Sequence, residues 1–344
     1  MGSRGRVGEV GVVDLARELG VSTATVSRAL NGSPTVRPET ARRVRDHAER
    51  RGYVVNRLAR ALSSNVSRAF VGFVIPYVDT PAYSAVAAEC ARLLSADGTQ
   101  MILTITENDP GRELRQLKEL VASRVAGLVI SPSTHILDGS KRLLTSLPVV
   151  QLHRDCGIGA PGVFSDDERA IADCVGHLAA LGHRDIGYLG IPSTLSSGAA
   201  RLRAVNLGLA RAGLAPDAVQ ARLVEPTRAN GHRGVTELLA RSRPPTAVIV
   251  GGGALSIGAA QALRESGRRL PDDLSLVVYG DPSWFALSDP PLSRITVAYD
   301  ELARRAAALL GERLDRPGGS AEAAAEYVRA ELHLAGSTGA PPAR

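Results

Sequence analysis

Apolar positions are distributed differently on the two sides of Phe70. After it, short continuous runs of Val, Ile and Leu alternate with segments of helical period. "AFVGFVIP" precedes a helix expected around Tyr83 to Ala96, "TQMILTIT" precedes one around Gly111 to Ser123, and "VAGLVIS" follows. "LPVVQLH" and a short strand at "GVFSD" lead to a helix expected over Glu168 to Leu181, and "DIGYLGIP", "TAVIVGG", "LSLVVYGD" and "SRITVAY" continue the alternation. Continuous apolar strands alternating with helices imply parallel sheets covered on both faces. About ten such strands suit two doubly wound subdomains better than one sheet, since twisted open sheets rarely exceed ~10 strands.

Before Phe70 no strand pattern occurs. Helical segments are expected near Val12 to Leu19, Thr23 to Asn31 and Pro38 to Arg51. Within them "GVSTATVSRALNG" lacks large apolar side chains. Ala16 lies four residues before Gly20 and Val26 six beyond it. That spacing supplies the small residue, the turn glycine and the apolar anchor that a helix-turn-helix needs. Ser22 offers an N-cap for the second helix, and Leu15, Leu19, Val26 and Leu30 fall on spacings that build a small core. Thr23, Ala24, Ser27 and Arg28 are left facing outward. Short side chains there let the helix backbone approach the floor of a major groove, and Arg28 can pair with a guanine edge. The expected fold class is α/β: a small all-α helix-turn-helix head followed by two doubly wound parallel-sheet subdomains.

Charge strengthens this division. The 344 residues carry a net charge of +6, yet up to residue 68 thirteen arginines face six acids, while the remaining 28 basic and 29 acidic residues nearly cancel. A basic head on a neutral body points to a polyanion-binding module joined to a domain with another task. No 18-residue apolar run and no apolar leader are present, so a cytoplasmic location and no membrane partner are expected. Cys90, Cys156 and Cys174 are scattered and expected to stay reduced.

Other chemical signals are weak. "GGGALSIG" imitates a dinucleotide turn but has Ser256 where the third glycine belongs. Cys174, His177 and His183 lack a fourth ligand for zinc. With no G-x-S-x-G or H-E-x-x-H motif either, no enzymatic activity, cofactor or metal is expected.

"VVDLARELGVSTATVSRALNGSPTVRPETARRVRDHAERRGYVVNRLARALSSNVSRAFVGFVIP" resembles the DNA-binding head and hinge of the LacI/GalR family of transcription regulators. The similarity continues through "HLAALGHRDIGYLGIP", "PPTAVIV", "LPDDLSLVVYGD", "SDPPLSRITVAYDELARRAAALL" and "AGST". The resemblance implies a repressor that reads a pseudo-palindromic operator in double-stranded DNA as a homodimer or tetramer. Its core is expected to be periplasmic-binding-protein-like, with a small-molecule effector between two lobes. The expected organisation is a head over residues 1–55, a hinge helix over 56–68, an effector-binding and dimerisation core over 69–335 and a flexible tail over 336–344. By position, Thr23, Ala24 and Arg28 would read bases, and Ser22, Ser27, Asn31 and Thr35 would contact the DNA backbone. Asn56, Ala59 and Leu62 match a hinge helix whose leucine wedges into the minor groove and bends the duplex.

Two facing α/β sheets place a ligand at the carboxyl ends of their strands. Candidates there are Tyr77, Asp79, His153, Arg154, Gly252 and Gly253, and foremost Tyr83, Ser131, Asp281 and Trp284. Arg203 matches the arginine with which family members grip a hydroxyl or carboxylate. The chain departs from the family at Gly252-Gly253, at Gly280 and at Val297, where polar residues are common. The glycine turn beside Arg203 and Arg154 leads to the expectation of an anionic effector. Two alternatives remain open at this point: a degenerate pocket without an effector, and a sugar-type binding protein with no DNA-reading role.

Overall fold

The computed structural model describes residues 11–30, 33–53, 69–280, 285, 287–316 and 325–343. The chain divides into two compact units, residues 1–65 and 66–344.

The first unit contains α1 (Val12–Leu19), α2 (Thr23–Leu30) and α3 (Pro38–Arg50). Leu15 and Val26 are fully buried as their spacing predicts, while Leu19 and Leu30 pack from the side. The core is completed by Ala41, Val44 and Ala48 of α3, so the helix pair depends on its third helix. Gly20 ends α1 at φ 67, a left-handed conformation that costs a residue with a Cβ about 1–2 kcal/mol. The Ser22 hydroxyl accepts from the Thr25 amide at 3.1 Å and caps α2. Across the unit, the Glu18 carboxylate takes both forks of Arg51 at 2.8 and 3.0 Å and His47 Nε2 at 2.7 Å.

The second unit holds two lobes of the same winding. The first contains β1 (Phe70–Ile75), β2 (Gln100–Ile105), β3 (Leu128–Ile130), β4 (Val149–Leu152) and β5 (Gly162–Asp166), in spatial order β2-β1-β3-β4-β5. The second contains β6 (Ile186–Gly190), β7 (Val219–Leu223), β8 (Ala247–Val250), β9 (Ser275–Tyr279) and β10 (Ser293–Val297), in the equivalent order β7-β6-β8-β9-β10. Connecting helices are α4 (Pro81–Ala96), α5 (Pro110–Ala122), α6 (Asp138–Leu144), α7 (Glu168–Ala180), α8 (Ser196–Arg211), α9 (Arg228–Leu239), α10 (Gly253–Glu265) and α11 (Tyr299–Asp315). Strand order reverses between β1 and β3 and again between β6 and β8, and crevices at such points bind ligands.

The lobes have the expected doubly wound order, but a strand absent from the sequence reading joins them. β11 (Ala325–His333) runs parallel to β5 through Ala325–Arg329 and antiparallel to β10 through Ala330–His333, making one ladder of eleven strands. Only Val328 and Ala330 are buried along it, and the intervening residues are mostly charged or exposed. A search for continuous apolar runs therefore passes over it, as it does over "VQARL" of β7. The chain also passes between lobes at Asp167, leading into α7 against α8, and at Ala298, leading into α11 against α4 and β4.

The C-terminal residues correct the expectation of a fraying tail. Ser337 is fully buried: its hydroxyl donates to the Leu276 carbonyl at 2.7 Å and accepts from the Ser293 amide at 2.8 Å, and its carbonyl accepts from the Leu276 amide at 2.8 Å. Gly339 binds Ser275 and the ring of buried His183, whose Nε2 donates to the Gly339 carbonyl at 2.9 Å. Small polar residues replace a strand here by serving as ladder partners with their hydroxyls. Ser337→Ala strands the buried Ser293 amide and is expected to cost about 1–3 kcal/mol, read as a lower denaturant midpoint; an unchanged midpoint would show that the strap contributes nothing.

Candidate functional site

In the first unit, Thr23, Ala24, Ser27 and Arg28 are all exposed on α2, while Val26 and Ala29 of the same helix are buried. Ser22 and Thr35 are exposed beside this face, with the Thr35 hydroxyl 2.8 Å from that of Ser33. Asn31, Asn56, Ala59 and Leu62 lie outside the described residues. The first unit thus presents a helix face of small polar side chains and one arginine.

In the second unit a cleft of about 540 Å³, counted to its open mouth, lies at the carboxyl ends of the strands of both lobes. Of the residues singled out from the sequence, Tyr77, Tyr83, His153, Arg154, Gly252 and Gly253 line it together. Ser131 stands one layer behind, fully buried, with its hydroxyl 3.2 Å from that of Tyr83. Asp79 faces Arg228 at 3.8 Å with both side chains half exposed. Asp281 and Trp284 lie outside the described residues.

Beside Arg154, the second arginine of the cleft is Arg201. Arg203, expected there, is exposed and does not line the cleft. The helical period contained this answer: Arg201 stands three, four and seven residues before the buried Ala204, Val205 and Gly208, whereas Arg203 falls off that face. Arg201 Nε donates to Asp167 Oδ2 at 2.7 Å, one Nη1 hydrogen to the Gly251 carbonyl at 2.9 Å, and one Nη2 hydrogen to the Tyr279 hydroxyl at 2.8 Å. The Tyr279 hydroxyl in turn donates to Asp167 Oδ1 at 2.8 Å, and its ring lies 3.9 Å beneath the guanidinium carbon. Burial alone would lower the pKa of Arg201, but the Asp167 carboxylate and Tyr279 outweigh it and hold the group above its ordinary range. These three bonds leave two of its five N–H groups unspent.

The remaining walls are aromatic and backbone. Burial, helped by the charges of Arg201 and Arg154, drives the His153 pKa down to about 4, so the ring is neutral at pH 7. It packs edge-on to Tyr83 at 5.3 Å, and its Nε2 donates to the Ala82 carbonyl at 3.1 Å. Thr80, unnoticed in the sequence, lines the cleft with a buried hydroxyl that has no hydrogen-bond partner. Gly252 precedes α10 and leaves its first N–H groups open; a Cβ there would meet Ile191 at 3.1 Å. Gly280 sits at φ 98, a region that favours glycine over the polar residue common in the resembling family. Val297 is 7 % exposed and belongs to the core beneath the cleft. Removing one partner of a buried ion pair leaves the other uncompensated, so Asp167→Ala is expected to destabilise the second unit by about 3–5 kcal/mol in chemical denaturation. Adding Arg201→Met should restore part of that loss; equal stability of Asp167→Ala and wild type would contradict the arrangement.

With this geometry in place, residues 12–56 match the family described as bacterial regulatory proteins, lacI family, and residues 175–338 match the periplasmic binding protein-like domain. The HTH-type transcriptional repressor PurR of Mannheimia succiniciproducens is 31% identical over 315 residues, covering 88% of this chain and 91% of PurR. Catabolite control protein A of Priestia megaterium is 27% identical over 314 residues, covering 89% of this chain and 93% of that protein. In structure, the lac repressor dimer bound to operator and the anti-inducer ONPF superposes with a TM-score of 0.83 at 24% identity, over 97% of this chain and 100% of that one. Among the described residues no helix is long and apolar enough to cross a membrane. A two-unit organisation, a helix-turn-helix first unit and this similarity along nearly the whole length place the chain in the LacI family of bacterial regulatory proteins.

Proposed function

We propose that this chain is a sequence-specific transcriptional repressor whose head reads an operator duplex and whose two-lobed unit binds a small-molecule effector. The observation that carries this reading is α2, which buries Val26 and Ala29 and exposes Thr23, Ala24, Ser27 and Arg28. A face of short side chains admits the helix backbone deep into a major groove, and Arg28 is the side chain on it long enough for a bidentate bond to guanine. Thr23 and Ala24 read methyl groups and shape, and Ser22, Ser27, Asn31 and Thr35 set the register on the DNA backbone. One head offers little base-specific contact, so two heads of a homodimer on a pseudo-palindromic operator supply the rest. The proposed organisation is a head over residues 1–55, a hinge over 56–68 with Asn56, Ala59 and Leu62 entering the minor groove, and a core over 69–339.

The cleft favours a neutral, ring-shaped polar effector over the anion expected from the sequence. Arg203 is exposed, Arg201 already carries Asp167 as its counter-ion, and Arg154 spends Nη1 bonds on Asn108 and the Pro132 carbonyl, each at 2.9 Å. What lines the cleft besides is a set of aromatic rings and the N–H groups that Arg201 and Arg154 do not spend on these bonds. Rings stack on aromatic faces while a few convergent polar groups fix their orientation. An effector controls the heads only to the extent that it binds one lobe arrangement more tightly than another.

Selection of bound sequences from a random duplex pool at fixed salt tests the head: the wild-type chain should enrich a pseudo-palindrome that Arg28→Ala loses at specific positions, at a cost of about 1–3 kcal/mol per base contact. Equal, salt-sensitive binding of all sequences by both proteins would reject operator reading. Calorimetric titration of neutral sugars and nucleosides beside their phosphorylated counterparts tests the cleft. The neutral compounds should bind more tightly, and a preference for the phosphorylated set would reverse this assignment.

A further inference from the structure

The turn between β2 and α5 places Asn108 at φ 60, in the left-handed region. Its side-chain amide makes four hydrogen bonds: Oδ1 accepts from the Thr134 amide at 3.0 Å and Arg154 Nη1 at 2.9 Å, while Nδ2 donates to Thr134 Oγ1 at 2.7 Å and Glu225 Oε2 at 2.9 Å. A carboxamide has two N–H groups and two lone pairs on its oxygen, so Asn108 is saturated. Its orientation is fixed as well, because a reversed amide would turn its NH2 against both the Arg154 guanidinium and the Thr134 N–H.

Three of these bonds stay within the first lobe, and the fourth reaches the second lobe just beyond β7. Both ends of that fourth bond are anchored. Residues 132–134 are gripped at Pro132 by Arg154, at Ser133 by two 2.7 Å bonds to Glu113, and at Thr134 by Asn108. On the other side, the Glu225 carbonyl accepts from Asn230 Nδ2 at 2.9 Å and from the Thr227 amide at 2.8 Å. A hydrogen bond to a charged carboxylate is stronger than a neutral one; here it joins the fixed Asn108 amide to a residue whose backbone is held in the second lobe. A second polar bond crosses nearby, from the Asp155 amide to Ser196 Oγ at 2.9 Å.

We infer that Asn108 and Glu225 form a clasp with which the chain holds its own lobes together beside the cleft. Lobe opening requires this bond to break, and a ligand that brings a hydrogen-bond donor to Glu225 competes with Asn108 for it. The regulatory consequence rests on the effector-controlled repressor reading above; the closing role does not.

Hydrogen exchange on the full chain separates the two. The Asp155 amide reports on the lobe contact, whereas the Ser131 and Gly251 amides, bonded to Val74 and Leu189 at 2.8 Å inside the separate lobes, report on the fold. Glu225→Ala is expected to speed exchange at Asp155 by ~5-fold or more while leaving Ser131 and Gly251 unchanged. Glu225→Gln keeps the side-chain shape and an acceptor oxygen and should give a smaller acceleration. Equal Asp155 rates in wild type and both variants, with the reference amides unchanged, would overturn the clasp. Absence of operator binding by the wild-type chain would count against the repressor reading and not against the clasp.

Discussion

A carboxylate buried where the chain passes between lobes needs hydrogen-bond donors and a counter-charge in place of water. Asp167 has both: Arg201 and Tyr279, with the Ser165 hydroxyl at 2.9 Å, give it three hydrogen bonds. These partners come from β5, α8 and the end of β9, so one buried charge ties together segments more than a hundred residues apart in the chain. An uncompensated charge at this depth would be far more costly than any single apolar contact nearby. The same bonds hold Arg201 in the wall of the cleft. The residue that would hold a ligand and the residue that holds the lobe junction are therefore one.

The rest of the second unit follows from that junction. Two doubly wound lobes bring the carboxyl ends of their strands face to face, and β11 locks them edge to edge by pairing with β5 along one half and β10 along the other. Edge pairing fixes the lobes at their base but leaves their upper rims to side chains. There Asn108 with Glu225, Asp155 with Ser196, and Asp79 with Arg228 at 3.8 Å make the connection. The base is thus held by backbone pairing and the rim by a few side-chain bonds.

Legibility in the sequence follows a physical division. Local spacing marks the helix-turn-helix through Ala16, Gly20 and Val26, and continuous apolar runs mark most of the strands. β7, which buries none of its residues, and β11, which buries only Val328 and Ala330, lack that signal. Arg201 was legible by helical period, while matching Arg203 to a family position pointed two residues too far along. Asn108 and Glu225 stand 117 residues apart and carry no local mark, since their meeting is a consequence of lobe packing alone. The tail was misread for the opposite reason. Small polar residues in "AGST" look like solvent-loving chain until the neighbouring backbone groups that need their hydroxyls are known.

On the repressor reading proposed above, the lobe arrangement held by the Arg201–Asp167–Tyr279 junction sets how tightly the head binds its operator. Operator affinity of the full-length Tyr279→Phe variant at fixed salt tests it most directly, because the change removes one hydroxyl and keeps the ring beneath Arg201. Affinity for the selected operator is expected to change severalfold while binding to unrelated duplex stays the same. Identical operator affinity in the variant and the wild type would show that the junction holds the fold together without transmitting anything to the head.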